Sequence, residues 1–390
     1  MKLGKLCILF TDGDWIESKD QSDSGIRLIQ TGNIGNGEFL YKNDKAKYIS
    51  VDTFKRLNCK EVFPNDILVS RLPEPVGRGC IIPDIGEKMI TAVDCTICRI
   101  NENLVDRKYF CYFLESNAYK TQLEQHVTGT TRKRISRKNL SSVEIDIPEQ
   151  AKQKEVVYKL DRLKKIIHNY NRELDLLDEL VRARFVEMFG DPEDNPFKWD
   201  KMPLSNIMLN ANNGMARRGS DENGNIVLRL VELQDGYINY SNPNRICLNE
   251  NEKKRYLLKN NDFLFARVNG NPDNVGRCAV FHDIGEDVYH NDHIIRVHFN
   301  EELLNGVFAS ELINSNFGKR QLKKRIKTSA GQYTVSQDGI GAIVSIVPPL
   351  ELQNQFASFV QEIDKSRSRI QKSLEASQEL FDSLMQEYFG

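Results

Sequence analysis

From Val156 onward, apolar residues recur in alternating steps of four and three: Val156, Leu160, Leu163, Ile167, Tyr170, Leu174, Leu177, Val181 and then Met188. The same rhythm returns near the end of the chain in Phe356, Val360, Ile363, Ile370, Leu374, Phe381, Leu384 and Tyr388. A narrow stripe of this kind is the seam of a coiled coil, whereas a helix lying on a domain shows a broader apolar face. Pro148 and the pair Pro348–Pro349 stand at the two starts, where a missing N–H costs nothing. Gly190 followed by Pro192 reads as a stop. The pattern predicts two helices of roughly 40 residues, about 60 Å each at ~1.5 Å per residue.

Arg184, Arg367 and Ser377 interrupt the stripe. Setting Val156 against Tyr388 in antiparallel order places Arg184 opposite Val360, Arg367 opposite Leu177 and Ser377 opposite Ile167. Every polar seam residue then meets an apolar one, which favours an antiparallel coiled coil that works as a spacer of fixed length.

The two helices are copies. "EMFG" closes the first at 187–190 and "EYFG" closes the chain at 387–390. Upstream, "PNDILVSR" (64–71) lies over "NNDFLFAR" (260–267), "VGRGCII" (76–82) over "VGRCAVF" (275–281), and "DCTICRI" (94–100) over "DHIIRV" (292–297). Self-similarity over so long a period sets the architecture. The order is a globular unit (1–147), a spacer helix (148–190), a second globular unit (191–347) and a second spacer helix (348–390). Short strand-like runs and a few helices without regular βαβ alternation make each globular unit α+β. A tandem duplication about an antiparallel coil carries a pseudo-two-fold axis.

Composition changes this picture little. With 390 residues, 28% charged and 40% apolar, the chain is ordinary for a globular protein and too long for one core. No apolar run approaches a membrane span and no secretory signal opens the chain. The eight cysteines are scattered, which fits free thiols and a cytoplasmic setting. A net charge of −1 gives no global attraction to a polyanion, so any such binding must be local.

Local clusters exist. "TGTTRKRISRK" (128–138) carries Thr130, Arg132, Lys133, Arg134, Arg137 and Lys138 with no acid among them. The matching stretch "GKRQLKKRIKTSAGQYTVSQ" (318–337) carries Lys319, Arg320, Lys323, Lys324, Arg325, Lys327, Gln332 and Tyr333, again without an acid. Cations interleaved with hydroxyl, amide and phenol groups suit phosphate contact together with base-edge hydrogen bonding. A lone charge run is often a solvated face, but the same position is basic in both copies. Arg217 and Arg218 on the Gly-flanked "NGMARRGS" loop are a weaker candidate, with no obvious counterpart in the first unit. Arg71, Arg267, Arg78 and Arg277 serve equally as contacts or as internal ion-pair donors.

Catalytic signals fall away. Cys95 and Cys98 would point to opposite faces of a strand and have no second pair for zinc. The "HNDHIIRVH" stretch (290–298) likewise splits His293 from His298. No P-loop, Gly-rich dinucleotide turn or amino-methyl-transfer motif is present. The chain reads as a recognition module rather than an enzyme.

At this point the arrangement resembles the specificity subunits of type I restriction–modification systems. The resemblance spans essentially the whole chain and rests on "GDWIESKD", "GIRLIQTGNI", "FPNDILVSR", "PVGRGCIIP", "NNDFLFAR" and the closing "GQYTVSQDGIGAIVSIVPPLELQNQF". It implies that each globular unit is a target-recognition domain reading half of a bipartite site in double-stranded DNA. It implies that the helices fix the gap and dock two methyltransferase subunits, and indirectly two restriction–translocase subunits. S-adenosylmethionine, ATP and Mg would then belong to those partners, with no cofactor on this chain. One departure is that the lead-in "PFKWDKMPLSNI" (196–207) has little counterpart ahead of "MKLGKLCIL". The rival reading is a two-domain coiled-coil scaffold for protein contacts, which leaves the doubled basic stretch without a role.

Overall fold

The computed structural model describes residues 1–129, 133–329 and 331–390. Two compact units emerge, Met1–Asn171 with Lys372–Gly390, and Arg172–Gln371. The two long helices run over Gln150–Phe189 and Leu350–Phe389, so each contributes one half to either unit.

The first unit is built on an antiparallel sheet in which Cys7–Asp12, Cys95–Ile100, Ile67–Ser70 and Gly79–Ile81 lie side by side in that order. Both faces are covered. Cys95 and Ile97 enter one apolar cluster, while Cys98 and Ile100 enter another with the helix Arg107–Glu115. The alternation of a strand therefore does separate Cys95 from Cys98. A second sheet sets Ile26–Ile29 parallel to Met89–Thr91.

The second unit repeats the plan. Met208–Asn213, Ile294–Phe299, Phe263–Ala266 and Cys278–Val280 take the same order in its main sheet. Asn225–Leu228 lies parallel to Val288–His290 in its second sheet. Even the irregularities recur. The edge strand slips register between Cys7 and Leu9 in one unit, and between Met208 and Asn210 in the other.

In the first unit, Val156 and Leu160 of one long helix share a core with Phe381, Met385 and Phe389 of the other. In the second, Val181, Phe185 and Phe189 share a core with Phe356. The repeated helix ends now have a physical reason. Phe389 packs on Tyr109 and Phe113 of the first unit, and Phe189 packs on Phe308 and Phe356 of the second. Such aromatic contacts add about 0.5–1.5 kcal/mol each beyond the area they bury. Gly190 follows in the left-handed region at φ +74°, the position where a helix commonly ends.

A duplicated polar clamp fixes each helix start. Gln153 is fully buried; its side-chain oxygen accepts from the Asp106 N–H, and its amide donates to the Leu104 and Pro148 carbonyls. Gln353, equally buried, does the same with the Asn305 N–H and the Leu303 and Pro348 carbonyls. A buried amide with donors and acceptor all engaged costs little, and one stripped of its partners costs much.

Two features depart from the sequence-based expectation. A short helix takes over the end of each basic stretch, Arg137–Ser142 in one unit and Gln337–Gly341 in the other; the strand Val344–Val347 follows the second, while the first is followed only by an isolated bridge from Glu144 to Lys2. Ser136 and Ser336 cap the two helices, their hydroxyls accepting from the N–H groups of Asn139 and Gly339. At the N-terminus, Leu3 N–H donates to Val143 and Ile145 N–H donates to Met1. These few residues occupy the place that Asp200–Pro203, paired with Val344–Val347, takes in the second unit.

Candidate nucleic-acid interface

The basic stretch of the first unit leaves the helix Asn117–Glu124 and closes with a bridge between Thr128 and Arg134. Thr130 and Arg132 lie outside the described residues. The second stretch is not one loop. Lys319 and Lys323 sit on the helix Asn316–Lys323, while Lys327–Ser329 and Gln332–Thr334 form a hairpin whose second strand pairs with Val268–Asn269. Gln332 is exposed, and Tyr333 is half-buried against the second-unit core.

Each stretch is anchored by the arginine ending the "DILVSR" or "DFLFAR" motif. Arg71 accepts at its backbone carbonyl from Ile135 N–H, and Arg267 accepts likewise from Val335 N–H. Arg71 is 4% exposed, and its guanidinium donates to the Val93 and Ile135 carbonyls, with Asp12 at 3.3 Å. Burial lowers its pKa and the Asp12 carboxylate opposes the shift. Arg267 donates to the Asp292 carbonyl. Arg78 spends its guanidinium on the carbonyls of Thr31, Ile34, Leu72 and Pro75, and Arg277 is held by Asp235, Gln234 and Asn274. All four are internal braces.

The stretches lack acids in sequence but not in space. Asp94 pairs with Arg134 at 2.8 Å, and Asp12 lies 3.9 Å from Arg137. In the second unit Lys319 pairs with Asp235, Arg320 with Glu193 and Lys323 with Asp273. Arg325 donates to the Gln321 and Ala342 carbonyls. Lys133, Lys138, Lys324 and Lys327 are exposed and have no ion pair within 4.0 Å among the described residues. These four lysines are the cations most available to phosphate.

The Arg217–Arg218 loop has a counterpart in the first unit after all. Gly13 N–H donates to Cys95 and Asp14 N–H to Thr91; Gly214 N–H donates to Ile294 and Met215 N–H to His290. A Cβ on Gly13 would fall 2.3 Å from the Thr91 oxygen, and one on Gly214 2.3 Å from the His290 and Asn291 oxygens. Only glycine permits that approach. Beside each glycine the neighbouring short helix reaches the same spot, Arg137 to Thr11 and Asp12, and Gln337 to Asn213. Arg218 pairs with Asp292 at 2.7 Å, and Arg217 with Glu252 at 2.9 Å. The matching letters, "DGDW" and "NGMA", share one glycine, too little for sequence comparison to align.

His290, beneath this loop, is buried and its Nδ1 lies 3.2 Å from the Tyr256 carbonyl. Burial, aided by nearby Arg296, pushes its pKa down to about 4. Among the described residues, no cluster of three His, Cys, Asp or Glu side chains is placed to hold a metal ion. No described helix is long and apolar enough to cross a membrane.

Two similarly built units, each bringing a basic stretch and a braced glycine loop to one end of its main sheet, define a duplicated recognition module. Residues 1–177 match the family described as the type I restriction modification DNA specificity domain. Beyond that segment, the similarity to type I specificity subunits extends over most of the chain. It is 23% identical over 381 residues to the StySPI specificity subunit of Salmonella potsdam, covering 93% of this chain and 81% of that protein. It is 21% identical to the EcoKI specificity subunit of Escherichia coli K12, covering 90% and 78%. Among solved structures, the S subunit of the M. genitalium type I system matches with a TM-score of 0.56 at 15% identity, covering 100% of this chain and 95% of that one. A chain from a type I restriction–modification assembly matches with a TM-score of 0.57 at 12% identity, covering 100% and 96%. At these identities the solved structures speak for the fold.

Proposed function

We propose that this chain is the non-catalytic, sequence-reading subunit of a type I restriction–modification complex. Each unit reads one half of an asymmetric bipartite site in duplex DNA. The long helices pair as an antiparallel coiled coil, set the gap between the halves and carry two methyltransferase subunits. Restriction–translocase subunits join through those. S-adenosylmethionine, ATP and Mg work in the partners, and the setting is the cytoplasm. The observation that carries this reading is the extent of the similarity, which runs through both units. The scaffold alternative is not favoured.

Affinity would come from Lys133, Lys138, Lys324 and Lys327, as sequence-independent phosphate contacts. Discrimination would come from side chains at the glycine loops and at the 327–334 hairpin, where Gln332, Arg217 and Arg218 offer base-edge hydrogen bonds. The test is co-expression with the cognate methyltransferase subunit and sequencing of methylated adenines across the host genome. One bipartite motif with a constant gap is expected. Methylation without any motif, from a methyltransferase shown to hold this chain, would overturn the reading.

A further inference from the structure

We propose that Trp15 contacts bases directly and sets specificity in the half-site read by the first unit, an inference that rests on the DNA-reading function above. Trp15 is 69% exposed, and among the described residues its indole N–H has one partner, the Glu17 carboxylate at 3.4 Å. Single exposed apolar side chains such as Ile8 and Leu209 are ordinary on this surface, so it is the place of Trp15, not its exposure, that assigns it a role. Here the neighbours on both sides are fixed. Gly13 and Asp14 are tied by backbone bonds to Cys95 and Thr91, and the Asp14 carboxylate accepts from the Lys60 N–H at 2.7 Å. Ile16 packs on the cluster of Ile26, Leu28 and Ile49. The ring is therefore held outward by a braced backbone.

Its surroundings are those of the candidate interface. Asp12, three residues earlier, faces Arg137, and the strand beside Gly13 begins next to Asp94, which holds Arg134. The duplicated brace supplies the second argument. At the matching place after Gly214 the second unit carries Ala216, followed by exposed Arg217 and Arg218. The place that presents a flat apolar ring in one unit holds Ala216 in the other, and the forked cations follow on the next two residues, Arg217 paired with Glu252 and Arg218 with Asp292. Arginine suits guanine edges, whereas an indole offers apolar contact to a thymine methyl or a base face. Two half-sites of different sequence require such a difference.

The test uses the full chain co-expressed with its cognate methyltransferase subunit, with methylated adenines mapped for Trp15→Ala, Trp15→Phe and the double variant Arg217→Ala/Arg218→Ala. Trp15→Ala should keep the gap and one half-site while degrading the other, with discrimination there falling about tenfold or more. Trp15→Phe should recover part of that loss. The arginine variant should degrade the opposite half. If Trp15→Ala abolishes methylation everywhere, recovery by Trp15→Phe with the original motif supports the contact, and failure to recover overturns it. An unchanged motif and rate in Trp15→Ala, or equal loss in both halves, also overturns it while leaving the DNA-reading function intact. Absence of any motif with the unaltered chain removes that function and this inference together.

Discussion

At the residue scale, charge counted along the chain misleads about charge available in space. Two acid-free runs stood out, yet Asp12, Asp94, Asp235 and Asp273 come from distant segments to occupy Arg137, Arg134, Lys319 and Lys323. No pattern within 128–138 or 318–337 announces those partners, because they are set by tertiary packing. The glycine brace and Trp15 were hidden for a related reason, since a close approach between backbones leaves only one shared letter. The unpaired lysines make a direct prediction. In a complex that binds DNA, replacing Lys133, Lys138, Lys324 and Lys327 by alanine should weaken binding to all sequences alike. The slope of log K against log salt should shallow by about one for each phosphate left without its lysine. Binding measured at several salt concentrations checks this, and an unaltered slope would take these lysines out of the interface. A second prediction concerns His290, whose pKa is held down to about 4 by burial. In the unfolded chain a histidine takes its proton near pH 6.5. Between those values the unfolded state binds the extra proton, so stability is intact above the window and falls as pH drops through it. Of the drop between pH 7 and pH 5, about 2 kcal/mol belongs to this group. His290→Gln should show a correspondingly smaller drop in urea titrations at the two pH values. An equal drop in both proteins would mean that this imidazole is not what resists protonation.

At the element scale the long helices were legible almost to the residue, because forty positions of periodic pattern outweigh any local accident. The predicted starts at Pro148 and Pro348 lie two residues ahead of the observed first turns. Short elements were not legible. Arg137–Ser142 and Gln337–Gly341 are too brief for a period, and their caps show only as a serine in a polar run. The hairpin at 327–334 depends on its pairing with Val268–Asn269, a contact between segments sixty residues apart. Gln153 and Gln353 show what the repeat alone conveyed. Their identity matched across copies, but only the fold reveals a buried clamp between each helix start and its own unit. Gln153→Leu would fill similar volume while leaving the Asp106 N–H without an acceptor and the Leu104 and Pro148 carbonyls without that donor. The expected cost is about 1–3 kcal/mol, read as a lower urea midpoint with an unchanged m-value. Gln353→Leu should cost a similar amount in the second unit. A neutral result for both would mean that water satisfies these groups.

At the scale of the whole molecule, the helices make each unit partly dependent on residues far away in sequence. Phe389 completes the core of a unit that begins at Met1, and Phe189 completes the core of the unit that follows it. Both helices therefore have to change together if the spacing is to change without unmaking either core. Inserting seven residues after Asn171 and seven after Gln371 preserves the apolar rhythm, since a heptad restores the seam. Each helix would lengthen by about 10 Å at ~1.5 Å per residue. Along duplex DNA that corresponds to roughly three base pairs at ~3.4 Å each. If the helices set the gap, the doubly extended chain should direct methylation to the same two half-sites separated by about three additional base pairs. The rotation of one half-site about the DNA axis by those extra pairs will lower the rate, so the position of the motif is the readout rather than its yield. Inserting four residues in each helix instead would shift the stripe off its face and should cost stability. A heptad-extended chain that folds, binds its methyltransferase and still methylates only at the original gap would show that something other than the helices sets the distance.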